Sequence, residues 1–254
     1  MKNGSRVVLL IGCLILLGGT IEGIQVGAVA EEETSEKQFE QPLYQSDFPN
    51  QLGTWQDVVG KADKTSNSNG LTITNTKQGT SLESVSLNKD AGEQSSGDLE
   101  LTFLYEGQAN IGLVFRADDQ QTSQWQSFAY NRDGQWQIGQ PGGKWLTAIS
   151  GPTLISGQTY KLLVRYEGKS FQAYLNDQLF YENEEVRYPD GSSIDSEWTG
   201  YVGIRLFGNL SKLSVASMRS GSVGSIPIVD PTEEYTQLQA KWQKQLVSDQ
   251  YDPN

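Results

Sequence analysis

IGLVFRADDQQTSQWQSFAYNRDGQWQIG, residues 111–139, alternates in two runs. In the first, Ile111, Leu113, Phe115 and Ala117 hold one phase while Gly112, Val114 and Arg116 hold the other; the second, Trp125 to Arg132, repeats the two-residue period with aromatics. A period of two predicts strands. The polar run Asp118 to Ser123 separates them, and Arg132-Asp133-Gly134-Gln135 carries the Asp-Gly pair that favours a tight hairpin. Trp125, Tyr130 and Trp136 stand beside Arg116, Asn131 and Arg132, a mixture suited to stacking on sugar rings and hydrogen-bonding their hydroxyls. Filling a core is the competing role for each aromatic, since large rings are mostly buried.

Strand signals continue on both sides. Phe48, Leu52, Trp55, Val58 and Val59 form an entry strand and loop, and Gly60 to Gly70 is a polar excursion. Leu71–Asn75, Leu82–Leu87 and Asp98–Tyr105 then read as strands, the last with Leu99, Leu101 and Phe103 on one face. Beyond the central stretch come Lys144–Ser150, Thr159–Tyr166, Ser170–Leu175, Leu179–Tyr181, Gly200–Phe207 and Leu210–Met218, with Asn176-Asp177-Gln178 as a hairpin turn. About a dozen short strands separated by regular turn signals predict an all-β, antiparallel β-sandwich.

Composition sets the address and removes several chemistries. Lys2 and Arg6, the apolar run Val7 to Gly19 and the small residues Ala28-Val29-Ala30 read as a secretory signal over residues 1–30. The expected mature protein is therefore secreted and extracellular, and its only cysteine, Cys13, leaves with the signal. The chain has no histidine, which excludes Ser-His-Asp and Cys-His catalysis and any imidazole ligand within it. From Glu31 onward 17 basic residues face 30 acidic ones, a net charge of −13. No nucleic-acid partner and no membrane partner after signal cleavage are expected of such a chain. Residues 31–42 are charged and nearly free of apolar side chains, the composition of a disordered spacer.

The order GLVFR, FAYNRDGQW, GQTYKLLVRYEGKSFQAYLNDQLFYE, GYVGIRLF resembles the concanavalin A-like jelly-roll domains of secreted bacterial carbohydrate enzymes, over residues 43–219. In that superfamily the concave face of one sheet often holds glycan. The resemblance makes Arg116 and Arg205, out of phase with their apolar neighbours, candidates for that face, with Trp125, Trp136 and Trp145 as platforms and Tyr130 and Asn131 beside them. A glycoside hydrolase of this fold would need two carboxylates flanking the scissile bond. Asp118-Asp119, Glu182 to Glu185 and Asp195 to Glu197 all fall in apparent turns, so no catalytic residue is assigned. The sequence calls for no cofactor; calcium is the one ion that loop oxygens of Asp118, Asp119, Asp190 or Asp195 would suit, without any calcium-loop spacing to support it.

After residue 219 the pattern changes. Residues 220–229 open with the Ser-Gly run expected of a flexible linker. Asp230, Pro231 and Glu233 then have the spacing of a helix start, and Tyr235, Leu238, Trp242 and Leu246 make one apolar stripe, predicting an amphipathic helix over 230–254. Its acidic start, Leu238, the Lys241-Trp242 pair, Leu246 and Asp252 resemble the opening helix of the α-toroid in family 8 polysaccharide lyases, the hyaluronate, chondroitin and xanthan lyases. Those lyases use tyrosine, asparagine and histidine deep inside the toroid, and none of these maps onto this chain. The resemblance therefore implies a carbohydrate-binding accessory region of a hyaluronate-lyase-like protein, inactive alone, with a glycosaminoglycan or other polysaccharide and a lyase catalytic domain as partners. A structural spacer that binds no sugar, and a weak hydrolase, are the rival expectations.

Overall fold

The computed structural model describes residues 43–46, 48, 52–75, 83–107, 110–120, 123–208 and 211–229. The expected signal, spacer and C-terminal helix lie outside the described residues. The strands are β1 (Tyr44–Gln45), β2 (Trp55–Val59), β3 (Ala62–Asn67), β4 (Gly70–Asn75), β5 (Glu83–Asn88), β6 (Gly97–Tyr105), β7 (Asn110–Ala117) and β8 (Gln126–Tyr130). They continue as β9 (Trp136–Gln140), β10 (Lys144–Ile149), β11 (Gln158–Glu167), β12 (Ser170–Leu175), β13 (Gln178–Asn183), β14 (Tyr201–Phe207) and β15 (Lys212–Gly221).

Two antiparallel sheets result. The first runs β13-β12-β11-β6-β15-β4-β3, with β1 added beside β15; the second runs β10-β9-β8-β7-β14-β5-β2. The sheets face each other across one core, as the period of two requires, and the architecture is the jelly-roll sandwich expected from the strand order. Phe103, Phe115, Phe128, Tyr166 and Phe171 are buried between them, each burial favouring the fold by about 1.5–3 kcal/mol. The central strands β6 and β7 are buried along almost their whole length.

Turn chemistry fixes the register. Leu175 pairs with Gln178 across a two-residue turn in which Asn176 and Asp177 adopt φ of 51° and 63°, the left-handed pair that Asn and Asp tolerate. Asn176 Oδ1 also accepts from the Lys161 amide at 2.9 Å, and Asp177 pairs with Lys161 Nζ at 2.5 Å.

Two expectations need correction. Gly60 to Gly70, read as an excursion because it is polar, contains β3, the edge strand of the first sheet; an edge strand with one face in water does not need apolar alternation. The expected flexible linker begins inside β15, and its far end is fixed. Ile226 is fully buried against Leu163 and Tyr174 on the outer face of the first sheet. Its amide donates to Asp98 Oδ2 at 3.1 Å, and its carbonyl accepts from Arg165 Nη2 at 3.3 Å. Asp98 and Arg165 are themselves joined by two bonds of 2.8 and 2.9 Å.

Candidate functional site

The sequence candidates part into three groups. Arg116 leaves the face that its phase assigned to it. Tyr201 and Gly203 of β14 lie opposite Ala117 and Val114 of β7, a bulge that sets two residues against one, and Arg116 takes a left-handed φ of 53° there. Its side chain turns inward, where the guanidinium stands 5.2 Å from the Tyr166 ring and 5.9 Å from that of Phe171. Nε donates to Ser95 O at 2.6 Å, Nη1 to Gln126 Oε1 at 3.1 Å and Asp195 O at 3.2 Å, and Nη2 to Gly168 O at 2.8 Å. Burial lowers its pKa. As placed, Arg116 ties three loops together.

Tyr130 and Trp136 pair across β8 and β9 on the core side, their ring centroids 4.9 Å apart. Trp136 Nε1 donates to Pro152 O at 2.9 Å, and Tyr130 Oη accepts from the Leu154 amide at 3.1 Å. Both rings are buried with their polar tips engaged. Asn131 caps the hairpin, its Oδ1 accepting from the Asp133 and Gln135 amides at 3.0 and 2.9 Å.

Trp125, Trp145 and Arg205 come together. They share the outer face of the second sheet, whose rungs are two rows of paired residues. One runs Trp145, Gly139, Ser127, Val114, Gly203, Leu87 from β10 to β5, and the other Gln137, Ala129, Gly112, Arg205, Val85, Val59 from β9 to β2. Trp145 and Arg205 start four strands apart, about 19 Å at the usual spacing, yet the guanidinium stands only 4.8 Å from the Trp145 ring centroid. Both side chains therefore lean inward and meet above β8, whose outward residues are Trp125 in its approach, Ser127 and Ala129. Arg205 also lies 5.6 Å from the Trp125 ring, and the two indoles are 6.1 Å apart.

Local sequence makes this roof fit. At Gly139 an added Cβ would lie 2.5 Å from Cδ2 of the Trp145 ring, so glycine lets the indole lie down on the sheet. At Gly112 an added Cβ would lie 2.4 Å from Ser127 Oγ. Glu83 accepts from Arg205 Nε and fixes the guanidinium's stem. At one rim Lys89 sits 3.2 Å from the Tyr201 ring centroid and donates to Asp119, which holds that carboxyl below its ordinary range. Beneath the roof Trp125 Nε1, Ser127 Oγ and Arg205 Nη1 are buried without a hydrogen-bond partner among the described residues. Ser127, Gly112, Gly139 and Glu83 escaped the sequence reading; the alternation of Ser127 between Trp125 and Ala129 was the signal that pointed to the first.

The acidic loops do other work. Asp195 Oδ1 accepts from the Glu197 amide at 3.0 Å, and Asp190 Oδ1 from the Ser192 amide and hydroxyl at 2.9 and 2.6 Å. Glu185 joins Lys169, Arg187 and Ser193. Among the described residues no three histidine, cysteine, aspartate or glutamate side chains gather as a metal-holding group, and no helix is long and apolar enough to cross a membrane.

No protein-family model matches the chain. It is 66% identical over 252 residues to Hyaluronate lyase HylB of Enterococcus faecalis (strain ATCC 700802 / V583), a match covering 99% of this chain and 25% of that protein. The chain thus spans about a quarter of the length of this curated relative, and corresponds to its N-terminal part. Among solved structures, a sialidase is similar with a TM-score of 0.51 at 9% identity, over 72% of this chain and 18% of that one, which supports the fold. The carbohydrate-binding module CBM66 from Bacillus subtilis gives 0.47 at 17% identity, over 65% and 94%. A galectin-like-fold protein from the same organism gives 0.49 at 10% identity, over 71% and 96%.

Proposed function

We propose that this chain is the saccharide-binding, non-catalytic region of a secreted hyaluronate-lyase-like protein, and that its binding surface is the outer face of the second sheet around Trp145. The observation that carries the location is the meeting of Trp145, Trp125 and Arg205 over β8. Of the three side chains only the Trp145 indole is part exposed, and it suits stacking on the apolar face of a sugar ring, with Trp125 and Arg205 buried against it. The identity to a hyaluronate lyase supports glycosaminoglycans as the ligand class and a lyase catalytic domain as the physical partner. The absence of histidine from the sequence and the use of the loop carboxylates as turn caps support binding without catalysis.

Titration with hyaluronan and chondroitin oligosaccharides, followed by tryptophan fluorescence, tests the proposal. Saturable quenching is expected, weakened at least tenfold by Trp145→Ala in a chain that keeps the parent's circular dichroism. Binding that survives Trp145→Ala unchanged would move the site elsewhere. The burial of Tyr130, Trp136 and Arg116 favours a second reading, a spacer domain with no sugar affinity; it predicts no fluorescence response to either glycan.

A further inference from the structure

The polar atoms beneath the Trp145 roof carry information about ligand chemistry, resting on the reading that this face binds saccharide. Trp125 and Ser127 are spaced by two along the approach to and course of β8, and Arg205 on β14 brings its guanidinium to 5.6 Å from the Trp125 ring. Their residues are 2%, 0% and 6% exposed. Leaving such groups buried and unpartnered is costly, so three of them without a hydrogen-bond partner among the described residues create a demand for a complement.

The demand has a sign. An indole N–H and a guanidinium N–H only donate, and a serine hydroxyl donates as readily as it accepts. The nearby carboxylate, Glu83, accepts from Arg205 Nε through Oε1. A sugar hydroxyl entering this recess offers lone pairs to the donors but adds a further proton, for which Ser127 Oγ is the one acceptor among the three groups. A carboxylate or amide carbonyl oxygen brings lone pairs alone. We propose that the recess formed by Trp125 Nε1, Ser127 Oγ and Arg205 Nη1 takes an acceptor-only oxygen of a saccharide, either a uronate carboxylate or an acetamido carbonyl, and discriminates against sugars that offer only hydroxyls.

Entry of a ligand to these buried atoms requires the Trp145 indole to move aside. Trp145 is half-buried and stands on β10, an edge strand whose pairing with β9 is interrupted between Leu146 and Ile149. Ala148, within that interruption, adopts a φ of 60°. The contacts seen holding the indole down are its packing on Gly139 and Trp125 and the Arg205 guanidinium.

Calorimetric titration of the full chain with trigalacturonate, chitotriose and cellotriose tests the proposal. The three probes have equal length and present a carboxylate, an acetamido group and hydroxyls alone. Trigalacturonate, chitotriose or both are expected to bind at least tenfold more tightly than cellotriose, and the arm that binds identifies the source of the oxygen. Ser127→Ala deletes one donor with little change of shape and Trp125→Phe deletes another together with part of a packed ring, and each is expected to lower that preference three- to tenfold, with circular dichroism verifying the fold. Equal affinity for cellotriose, or a preference unchanged in both variants, overturns the acceptor rule. If cellotriose binds as well as the others and Trp145→Ala abolishes all binding, the binding face stands and the recess proposal fails; if no saccharide binds, both fail together.

Discussion

Arg116, Trp136 and Trp145 have similar signatures in the sequence, large side chains beside turn-rich segments, and the structure gives them opposite work. Arg116→Ala removes four hydrogen bonds and leaves the carbonyls of Ser95, Gly168 and Asp195 without that donor; a loss of about 3 kcal/mol or more in denaturant unfolding is expected. Arg116→Lys does not restore it, because an ammonium lacks the planar fork that reaches three loops at once. Trp136→Ala opens the core next to Phe128 and Phe180 and should cost about 3–5 kcal/mol. Trp145→Ala, at a half-buried position, should cost less stability than Trp136→Ala and act chiefly on binding. The two-residue period correctly placed Arg205 on the outer face, but failed for Arg116 because a bulge reverses the phase. Nothing in GLVFR announces that extra residue.

At the scale of elements, the segment after β15 is the instructive one. Its Ser-Gly composition reads as flexible, yet one buried residue within it, Ile226, anchors it to the sheet. Ile226→Ala should cost about 2–4 kcal/mol and expose residues 221–229 to limited proteolysis, while a variant as protease-resistant as the parent would show that the clasp does not hold them. The Glu185 loop gives a pH-dependent counterpart. Bonds from Ser193, then Arg187, hold its carboxyl below the ordinary range, so its contribution to stability is present above the unfolded value and lost as pH falls through the lowered folded value. Ser193→Ala should raise the Glu185 titration midpoint seen by NMR towards that of a free glutamate; an unmoved midpoint would contradict the assignment. Turn residues such as Asn176-Asp177 were legible because their conformational preference is local. Ile226 was not, because its partners Leu163, Tyr174 and Asp98 lie far away in sequence.

For the molecule as a whole, alternation and turn spacing gave an antiparallel β-sandwich, and the resemblance to concanavalin A-like domains made it a jelly roll. The candidate site was legible only in its ingredients. Trp125, Trp145 and Arg205 stood out as residues, but their convergence depends on the register of five strands, and register is not written in any one of them. The chain's formal charge of −12 works against bulk attraction of an acidic glycan, so affinity on this account must come from the local donors and rings of one face. The measurement that tests this most directly is a fluorescence titration of the parent chain and of Trp145→Ala with hyaluronan oligosaccharides. Saturable quenching in the parent, weakened at least tenfold in a variant that keeps the parent's circular dichroism, is the predicted result. Identical curves for the two proteins, or no response in the parent, would contradict a saccharide site on the outer face of the second sheet.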